Sequence, residues 1–349
     1  MTGNSSTAGI SGRNGRRWGA RALLAVAALI PALAPNIAQA QPDPACRALS
    51  FAVPQGQLAA TLCAPAAADT VVVLMAGSNY NHGYWDFGYR PETYNFRQAL
   101  NRAGYATLIV DRLGNGASSK PPSGTLSATT SANALHDIVQ AARRGLDGAR
   151  PYAKVVTAGH SLSSGIAVLE AVRHHDVDGV LLTGYSHTLE VSQVMGVISS
   201  YHPAAGDPVF AGRSYDDGYL TTRPGTRAAA FYGPDTTDPA VLAEDERTKE
   251  VFSLTEYPDG LSSTLPPMSN DIDVPVMVVN GSVDRLSCGQ GFAACTDTAT
   301  LHASEAPYFA PAARLRAFVL PGSGHSVNLA TNTVEYQSAV VDWLNTEVR

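Results

Sequence analysis

The sequence is poor in charge and especially in basic residues. Charged residues make up 15% of its 349 residues, with 24 Lys and Arg against 30 Asp and Glu. The first forty residues hold four of the basic residues and none of the acidic ones, which leaves 20 against 30 in the remainder. An acidic protein of this kind is poorly suited to binding a polyanion. We therefore expect no nucleic-acid partner and no obligate membrane partner.

Long hydrophobic runs are also missing. The first apolar run, residues 22–30, is ended by Pro31 and Pro35 and falls well short of the roughly 20 residues that a membrane-spanning helix needs. A basic stretch precedes this run, and the sequence Ala-Gln-Ala at 38–40 follows it. This order is typical of an export signal rather than of a membrane anchor. We predict that residues 1–40 are removed and that the mature chain is secreted or periplasmic. The sequence does not select the export pathway.

Cysteine is scarce, with four residues in the chain. The cysteines contain no Cys-x-x-Cys pair and have no histidine pair nearby, so we expect no metal site built on them. In an oxidising compartment they are expected to form disulfides. If the alternating runs on either side of residues 54–56 form a hairpin, Cys46 lies opposite Cys63. Cys288 and Cys295 are close enough to close a small loop, so we predict these two pairings among the three possible.

Hydrophobic runs typical of buried strands alternate with helical stretches along the mature chain. The strand runs are residues 70–75, 106–110, 154–157, 179–183, 274–279 and 315–320, and the helical stretches are about 91–103, 129–146, 162–174 and 333–347. This alternation predicts an α/β fold with a parallel sheet and helices on both faces. About 90 residues separate the fourth and fifth runs, far more than a plain crossover needs. We interpret residues 186–270, rich in Tyr, Pro, Gly and Asp, as a cap inserted over the sheet within one domain, 41–349, rather than as an independent domain.

The sequence Gly-His-Ser-Leu-Ser at 159–163 is typical of a nucleophile held on a sharp turn. A β-branched run precedes it and helix-forming residues follow it. The turn that exposes Ser161 needs small residues two positions before and after the serine. Gly159 meets the first requirement, and Ser163 stands where glycine is usual. A second serine, Ser186, also follows a strand, but the β-branched Thr188 two positions later makes it a poor alternative.

The expected partners of Ser161 lie at the ends of the last two strands. A serine hydroxyl needs a histidine to accept its proton and a carboxylate to orient that histidine. Asp284 follows the strand run at 274–279, whereas Asp111 comes before the serine and begins a glycine-rich loop. His325 follows the last strand and is flanked by small residues. We therefore predict Asp284 as the acid and His325 as the base.

The negative charge that forms during acyl transfer needs two N–H donors. One is expected from Leu162, directly after the nucleophile, and the other from Ser78, in the loop after the first central strand. Gly77 allows close approach of that loop. We expect four further residues of the loop to contribute to the pocket: Tyr80, His82, Tyr84 and Trp85.

Ser161, Asp284 and His325, in this order on alternating strands and helices, give a sequence that resembles the α/β-hydrolase family over nearly all of the mature chain. The loop at 111–119 also resembles a loop of that family. The resemblance implies an eight-stranded, mostly parallel sheet with the N-terminal hairpin as its antiparallel part. It implies hydrolysis without a metal or organic cofactor. Two positions depart from the family pattern: Ser163 replaces a glycine, and Ala76 replaces a histidine found in many members.

The expected function is that of a secreted serine hydrolase, an esterase or lipase-like enzyme, that cleaves a small-molecule carboxylic ester through an acyl-enzyme. The same triad would also support hydrolysis of a carbon–carbon bond next to a ketone, of a thioester or of an amide, since fold alone does not select among these reactions. A hydrolase-like binding protein without activity is a further alternative. The oligomeric state stays open at this point.

Overall fold

The computed structural model describes residues 43–349 except 147, 149 and 289–294. The predicted export signal therefore lies outside the described residues. Eleven strands are present in this part: β1 Cys46–Val53, β2 Gly56–Cys63, β3 Thr70–Met75, β4 Ala106–Val110, β5 Lys154–His160, β6 Gly179–Thr183, β7 Tyr201–Pro203, β8 Tyr219–Thr222, β9 Phe252–Ser253, β10 Val276–Gly281 and β11 Arg316–Leu320.

Eight of the strands form one sheet in the order β1-β2-β4-β3-β5-β6-β10-β11. The pairs β1·β2 and β2·β4 are antiparallel, and the remaining pairs are parallel. The predicted eight-stranded, mostly parallel sheet with an antiparallel N-terminal hairpin is thus confirmed. Because the parallel strands run in the same direction, the loops that follow them meet at one edge of the sheet.

Helices cover both faces of this sheet: α1 Pro91–Tyr94, α2 Phe96–Arg102, α3 Ala128–Arg144, α4 Leu162–His174, α9 Thr298–Glu305 and α10 Thr333–Trp343. Successive residues of β3 point to opposite faces. Val73 joins the core under α3 and α4, and Leu74 joins the core under α2 and α10. The single helix predicted at about 91–103 is two helices, because Asn95 is extended and its side chain accepts the N–H of Gln98 at the start of α2.

Both predicted cysteine pairs are bonded. In the hairpin, Cys46 is the register partner of Cys63, and a disulfide joins the two residues. A second disulfide joins Cys288 to Cys295, although the residues between them are not among those described. The second bond closes a loop that begins four residues after Asp284, so it braces the chain beside the predicted acid.

The segment between β6 and β10 has elements of its own: α5 Val191–Ile198, α6 Arg227–Phe231, α7 Pro239–Arg247, α8 Tyr257–Ser262 and the antiparallel sheet β7-β8-β9. It contacts the loops that follow strands of the main sheet. The Asn115 side chain, after β4, donates to the Val251 carbonyl, and the Glu250 N–H donates to the carbonyl of Asn79, after β3. Among the described residues, no helix combines the length and the apolar composition needed to cross a membrane.

Candidate active site

Ser161 occupies the turn between β5 and α4. Its backbone has φ 56° and ψ −123°, a left-handed φ that is costly for residues other than glycine. Two main-chain hydrogen bonds of 2.8 Å hold the turn, from the Ser161 N–H to the Thr183 carbonyl and from the Ser164 N–H to the Ser161 carbonyl. A Cβ on Gly159 would lie 2.2 Å from the Ser163 carbonyl oxygen, so glycine is required there. The predicted succession of strand, strained turn and helix is present.

Ser163, which replaces the usual glycine, has a hydrogen bond of its own. Its buried hydroxyl donates to the main-chain carbonyl of Ala76 at 2.6 Å. Ala76 directly follows β3, and Ser163 lies in the first turn of α4. The bond therefore fixes the end of β3 to the start of the helix that follows the nucleophile.

Asp284 and His325 lie in direct contact at the ends of β10 and β11. His325 Nδ1 is 3.0 Å from Oδ1 and 2.9 Å from Oδ2 of Asp284, and both side chains are buried. Asp284 Oδ1 also accepts the main-chain N–H groups of Leu286 at 2.8 Å and Ser287 at 3.1 Å. Because Nδ1 faces the carboxylate, it carries the proton, and Nε2 is the nitrogen left to accept one. Nε2 is buried and has no hydrogen-bond partner among the described residues.

His325 is held by two neighbours, one against its ring and one at its main-chain carbonyl. Gly184 adopts φ 60°, and a Cβ at this position would lie 2.8 Å from Cε1 of His325. His160 Nε2 lies 3.2 Å from the main-chain carbonyl of His325 and donates to it. Burial lowers the pKa of His160 well below its ordinary value, because the imidazolium ion would be poorly solvated there. His160 is thus a neutral support for His325, a role that its place beside Ser161 in the sequence does not reveal.

Arg112, in the loop after β4, orders the main chain that follows β3. Its buried guanidinium donates to the carbonyls of Ala76 at 3.3 Å, Gly77 at 3.2 Å and Ser78 at 3.2 Å. Arg112 Nη1 also donates to the buried carboxylate of Glu256 at 2.6 Å. Sequence reasoning missed this role, although an arginine in a glycine-rich loop directly after a buried strand is a usable signal.

One predicted oxyanion donor lies at the start of α4, and the other lies in the loop after β3. Leu162 is the first residue of α4, so its N–H has no carbonyl partner within the helix. The Ser78 N–H shares a trans peptide with the Gly77 carbonyl, which accepts from Arg112, so this N–H points away from the guanidinium. The loop after β3 lies against the nucleophile turn: a Cβ on Gly77 would be only 2.9 Å from Cβ of Ser161, so glycine allows this close approach.

Ser161 and His325 line the same cavity. Its volume is about 70 Å³, well below the roughly 300–1,000 Å³ of pockets for drug-sized ligands. Much of its lining is apolar and comes from the segment between β6 and β10 and from the loop after β10: Leu189, Val194, Leu261 and Leu286. The site is therefore a narrow apolar cavity with a serine and a histidine as its reactive groups.

The four residues proposed for the pocket lie elsewhere. Tyr80, Tyr84 and Trp85 are buried in the core on the face of α2 and α10, and Tyr84 stacks on the ring of His160 at 4.2 Å. His82 is half exposed, and its Nδ1 lies 3.0 Å from both carboxylate oxygens of Asp111. This hydrogen bond raises the pKa of His82 above its ordinary value. The rings of Tyr80 and Tyr84 turn inward and pack against His160.

Ser186, the alternative nucleophile, lies on the same cavity but has a different role. Its hydroxyl donates to Glu305 Oε1 at 2.7 Å in a buried hydrogen bond. The other oxygen of this carboxylate faces Nδ1 of His187 at 2.6 Å. Ser186 is therefore engaged with a carboxylate rather than with the free nitrogen of a histidine.

Comparisons with known proteins agree with this architecture. The family model described as "Alpha/beta hydrolase family" matches residues 72–336, more than half of the chain. A soluble variant of monoglyceride lipase from Saccharomyces cerevisiae, with a substrate analogue, is similar at 15% identity and a TM-score of 0.60, over 90% of this chain and 100% of that one. No curated protein sequence matches significantly.

Two further solved structures share the fold at low identity. A thermophilic esterase from Thermogutta terrifontis is 17% identical with a TM-score of 0.55, over 87% of this chain and 100% of that one. The thioesterase domain from the curacin biosynthetic pathway is 15% identical with a TM-score of 0.53, over the same shares of the two chains.

Proposed function

This chain belongs to the alpha/beta-hydrolase family, and we propose that it is a serine hydrolase that cleaves carboxylic esters through an acyl-enzyme intermediate. One observation carries the proposal. The carboxylate of Asp284 holds Nδ1 of His325, and Nε2 of the same ring is buried without a partner beside the cavity that Ser161 lines. A histidine in this state can accept a proton from a nearby hydroxyl. Of the serines that line the cavity, Ser161 is the one held on a strained turn.

In the first half of the reaction, His325 Nε2 takes the proton of the Ser161 hydroxyl as Oγ attacks the ester carbonyl. The C–O double bond opens to an oxyanion, and the tetrahedral intermediate collapses as His325 returns the proton to the leaving alcohol. Asp284 keeps the proton on Nδ1 and stabilises the imidazolium ion. In the second half, Nε2 takes a proton from water as the water oxygen attacks the acyl carbonyl. The second tetrahedral intermediate then collapses as His325 returns this proton to Ser161 Oγ, which releases the acid and free Ser161.

The oxyanion is bound by the N–H groups of Leu162 and Ser78. Removal of one such donor typically costs about 3–4 kcal/mol of transition-state stabilisation. Arg112 supports this role because it holds the Gly77 carbonyl on its own side, which turns the Ser78 N–H the other way. The bond from Ser163 to Ala76 sets the spacing between the two donors.

The substrate class follows from the cavity and from the charge of the chain. The small volume and apolar walls of the cavity favour esters of short acyl chains. Residues 186–270 act as a cap over the carboxyl edge of the sheet, since loops that follow β3 and β4 contact this segment. The disulfides suit an exported protein, secreted or periplasmic, and an acidic chain suits a small-molecule ester rather than nucleic acid.

Hydrolysis of a series of p-nitrophenyl esters from acetate to palmitate tests the proposal. The mature, oxidised protein is expected to be most active on the short esters, from acetate through butyrate, and Ser161→Ala is expected to be inactive on the whole series. Equal activity in the parent and in Ser161→Ala would mean that another residue is the nucleophile. An inactive parent would favour the alternatives: carbon–carbon, thioester or amide hydrolysis, or a binding protein without activity.

A further inference from the structure

A second cluster of chemically competent side chains lies at the far end of α4 from Ser161. His136 comes from α3, Glu170 from α4 and Asp176 from the loop between α4 and β6. One nitrogen or oxygen atom of each side chain lies within 4.8 Å of the others. His136 Nδ1 is 2.7 Å from Asp176 Oδ2. Residues that are 34 and six positions apart in the sequence thus converge on one point.

Glu170 is the member of the cluster that needs an explanation. The residue has no solvent-exposed surface, and among the described residues no N–H or hydroxyl donor contacts its carboxylate oxygens, whose polar neighbour is the carboxylate of Asp176. Oδ1 of Asp176 is also buried without a partner. A buried carboxylate is strongly disfavoured unless a positive group or a donor compensates it. Two carboxylates side by side therefore require either a shared proton or a cation between them.

The surroundings favour a cation that reaches the cluster from solvent. The side chains of His136 and Asp176 are 28% and 15% exposed, which leaves a route to the buried Glu170. Gln140 Nε2 donates to Asp176 Oδ2 at 2.6 Å and so orients this carboxylate. The ring of His174 stacks on His136 at 3.8 Å and restricts its rotation. Fixed ligands supported by second contacts are typical of metal sites.

We propose that His136, Glu170 and Asp176 form a site for a divalent transition-metal ion of the Zn²⁺ type. One imidazole and two carboxylates are donors that zinc accepts, whereas Ca²⁺ and Mg²⁺ prefer oxygen donors alone. Donors around a tetrahedral zinc ion lie roughly 3.4 Å apart. Small movements of the partly exposed His136 and Asp176 within these contacts would bring the three donors to that spacing. The ion would tie α3, α4 and the following loop together, independently of the reaction at Ser161.

Zn²⁺ binding to the mature protein, without an affinity tag and stripped with a chelator, tests the proposal. Competition with a chromophoric chelator is expected to show one tight site per chain. Co²⁺ is expected to bind with visible d–d absorption bands that Zn²⁺ abolishes, and excess Ca²⁺ or Mg²⁺ is expected not to displace it. A parent protein that binds no Zn²⁺ would overturn the proposal and leave the shared proton as the explanation of the buried pair.

Variants assign the binding to these residues. Glu170→Gln keeps the side-chain shape and is expected to abolish the tight site, and Gln140→Ala, which only supports Asp176, is expected to weaken it by about 10- to 100-fold. His175→Gln is the matched control, since this neighbouring histidine is exposed and faces Asp273 at 3.6 Å. If Glu170→Gln does not fold, the partly exposed His136→Gln gives the same reading. Equal Zn²⁺ affinity in the parent, His136→Gln and His175→Gln would overturn the assignment.

Discussion

Replacing Ser163 by alanine removes the hydroxyl that links α4, which carries the Leu162 N–H, to the loop after β3, which carries the Ser78 N–H. The lost bond is buried and 2.6 Å long, and a bond of this kind contributes about 1 kcal/mol, or up to about 3 kcal/mol if a buried partner is left unsatisfied. The Ala76 carbonyl keeps its contact with Arg112 at 3.3 Å, so the lower figure applies. For a domain of this size, about 1 kcal/mol lowers Tm by roughly 2 °C.

The effect on catalysis is expected to be larger than this stability loss implies. Ser163 lies on the helix that begins with Leu162, and Ala76 lies on the loop that leads to Ser78. Without the bond, the spacing between the two N–H groups is less well fixed. A loss of about 1 kcal/mol of transition-state stabilisation corresponds to a kcat lower by about fivefold. KM should change little, since the donors act mainly on the charged intermediate.

Steady-state hydrolysis of p-nitrophenyl butyrate together with thermal unfolding measures both effects. Thr221→Val is the matched control, because the buried Thr221 hydroxyl, on β8, also donates to a main-chain carbonyl, that of Glu250 just before β9, at 3.0 Å. It should lower Tm to a similar extent with kcat unchanged. If Ser163→Ala behaves like this control, the bond contributes to stability alone and does not align the two oxyanion donors.

Two further predictions concern charged partners. Asp284→Asn should lower kcat by about 10⁴-fold with little change in Tm, because the amide favours the wrong tautomer of His325; a loss below tenfold would show that Asp284 does not orient the base. His82→Gln should destabilise the protein in urea at pH 5.5 and much less at pH 9. The pKa of His82 is raised in the folded state by Asp111, so its contribution is complete below the ordinary histidine pKa of about 6.5 and is lost as pH rises through the folded value. Equal effects at both pH values would contradict this linkage.

The sequence allows the sheet and the hairpin to be predicted because their signals are local. A continuous apolar run marks a strand buried on both faces, as at Thr70–Met75, where the predicted and observed bounds agree. The register of the hairpin follows from a short turn and from the position of the two cysteines, and Cys46 does pair with Cys63. The turn at Ser161 is similarly local, since its shape depends on residues within two positions.

Contacts between distant parts of the chain could not be predicted in this way. Arg112 reaches Glu256 across 144 positions, and no periodic pattern links the two residues. The loop after β3 contains aromatic rings that fit a pocket wall as well as a core, and only the packing of Tyr84 on His160 decides between these places. The strands β7 to β9 have three, four and two residues, which is too short for an alternating pattern to be recognised.

Covalent labelling identifies the nucleophile directly. The mature protein is treated with a fluorophosphonate, and its intact mass and labelled peptide are determined by mass spectrometry. We expect one label per chain, on Ser161, with labelling retained in Ser186→Ala and lost in Ser161→Ala and His325→Ala. A label on any other residue, or an unlabelled parent that nevertheless hydrolyses esters, would contradict this expectation.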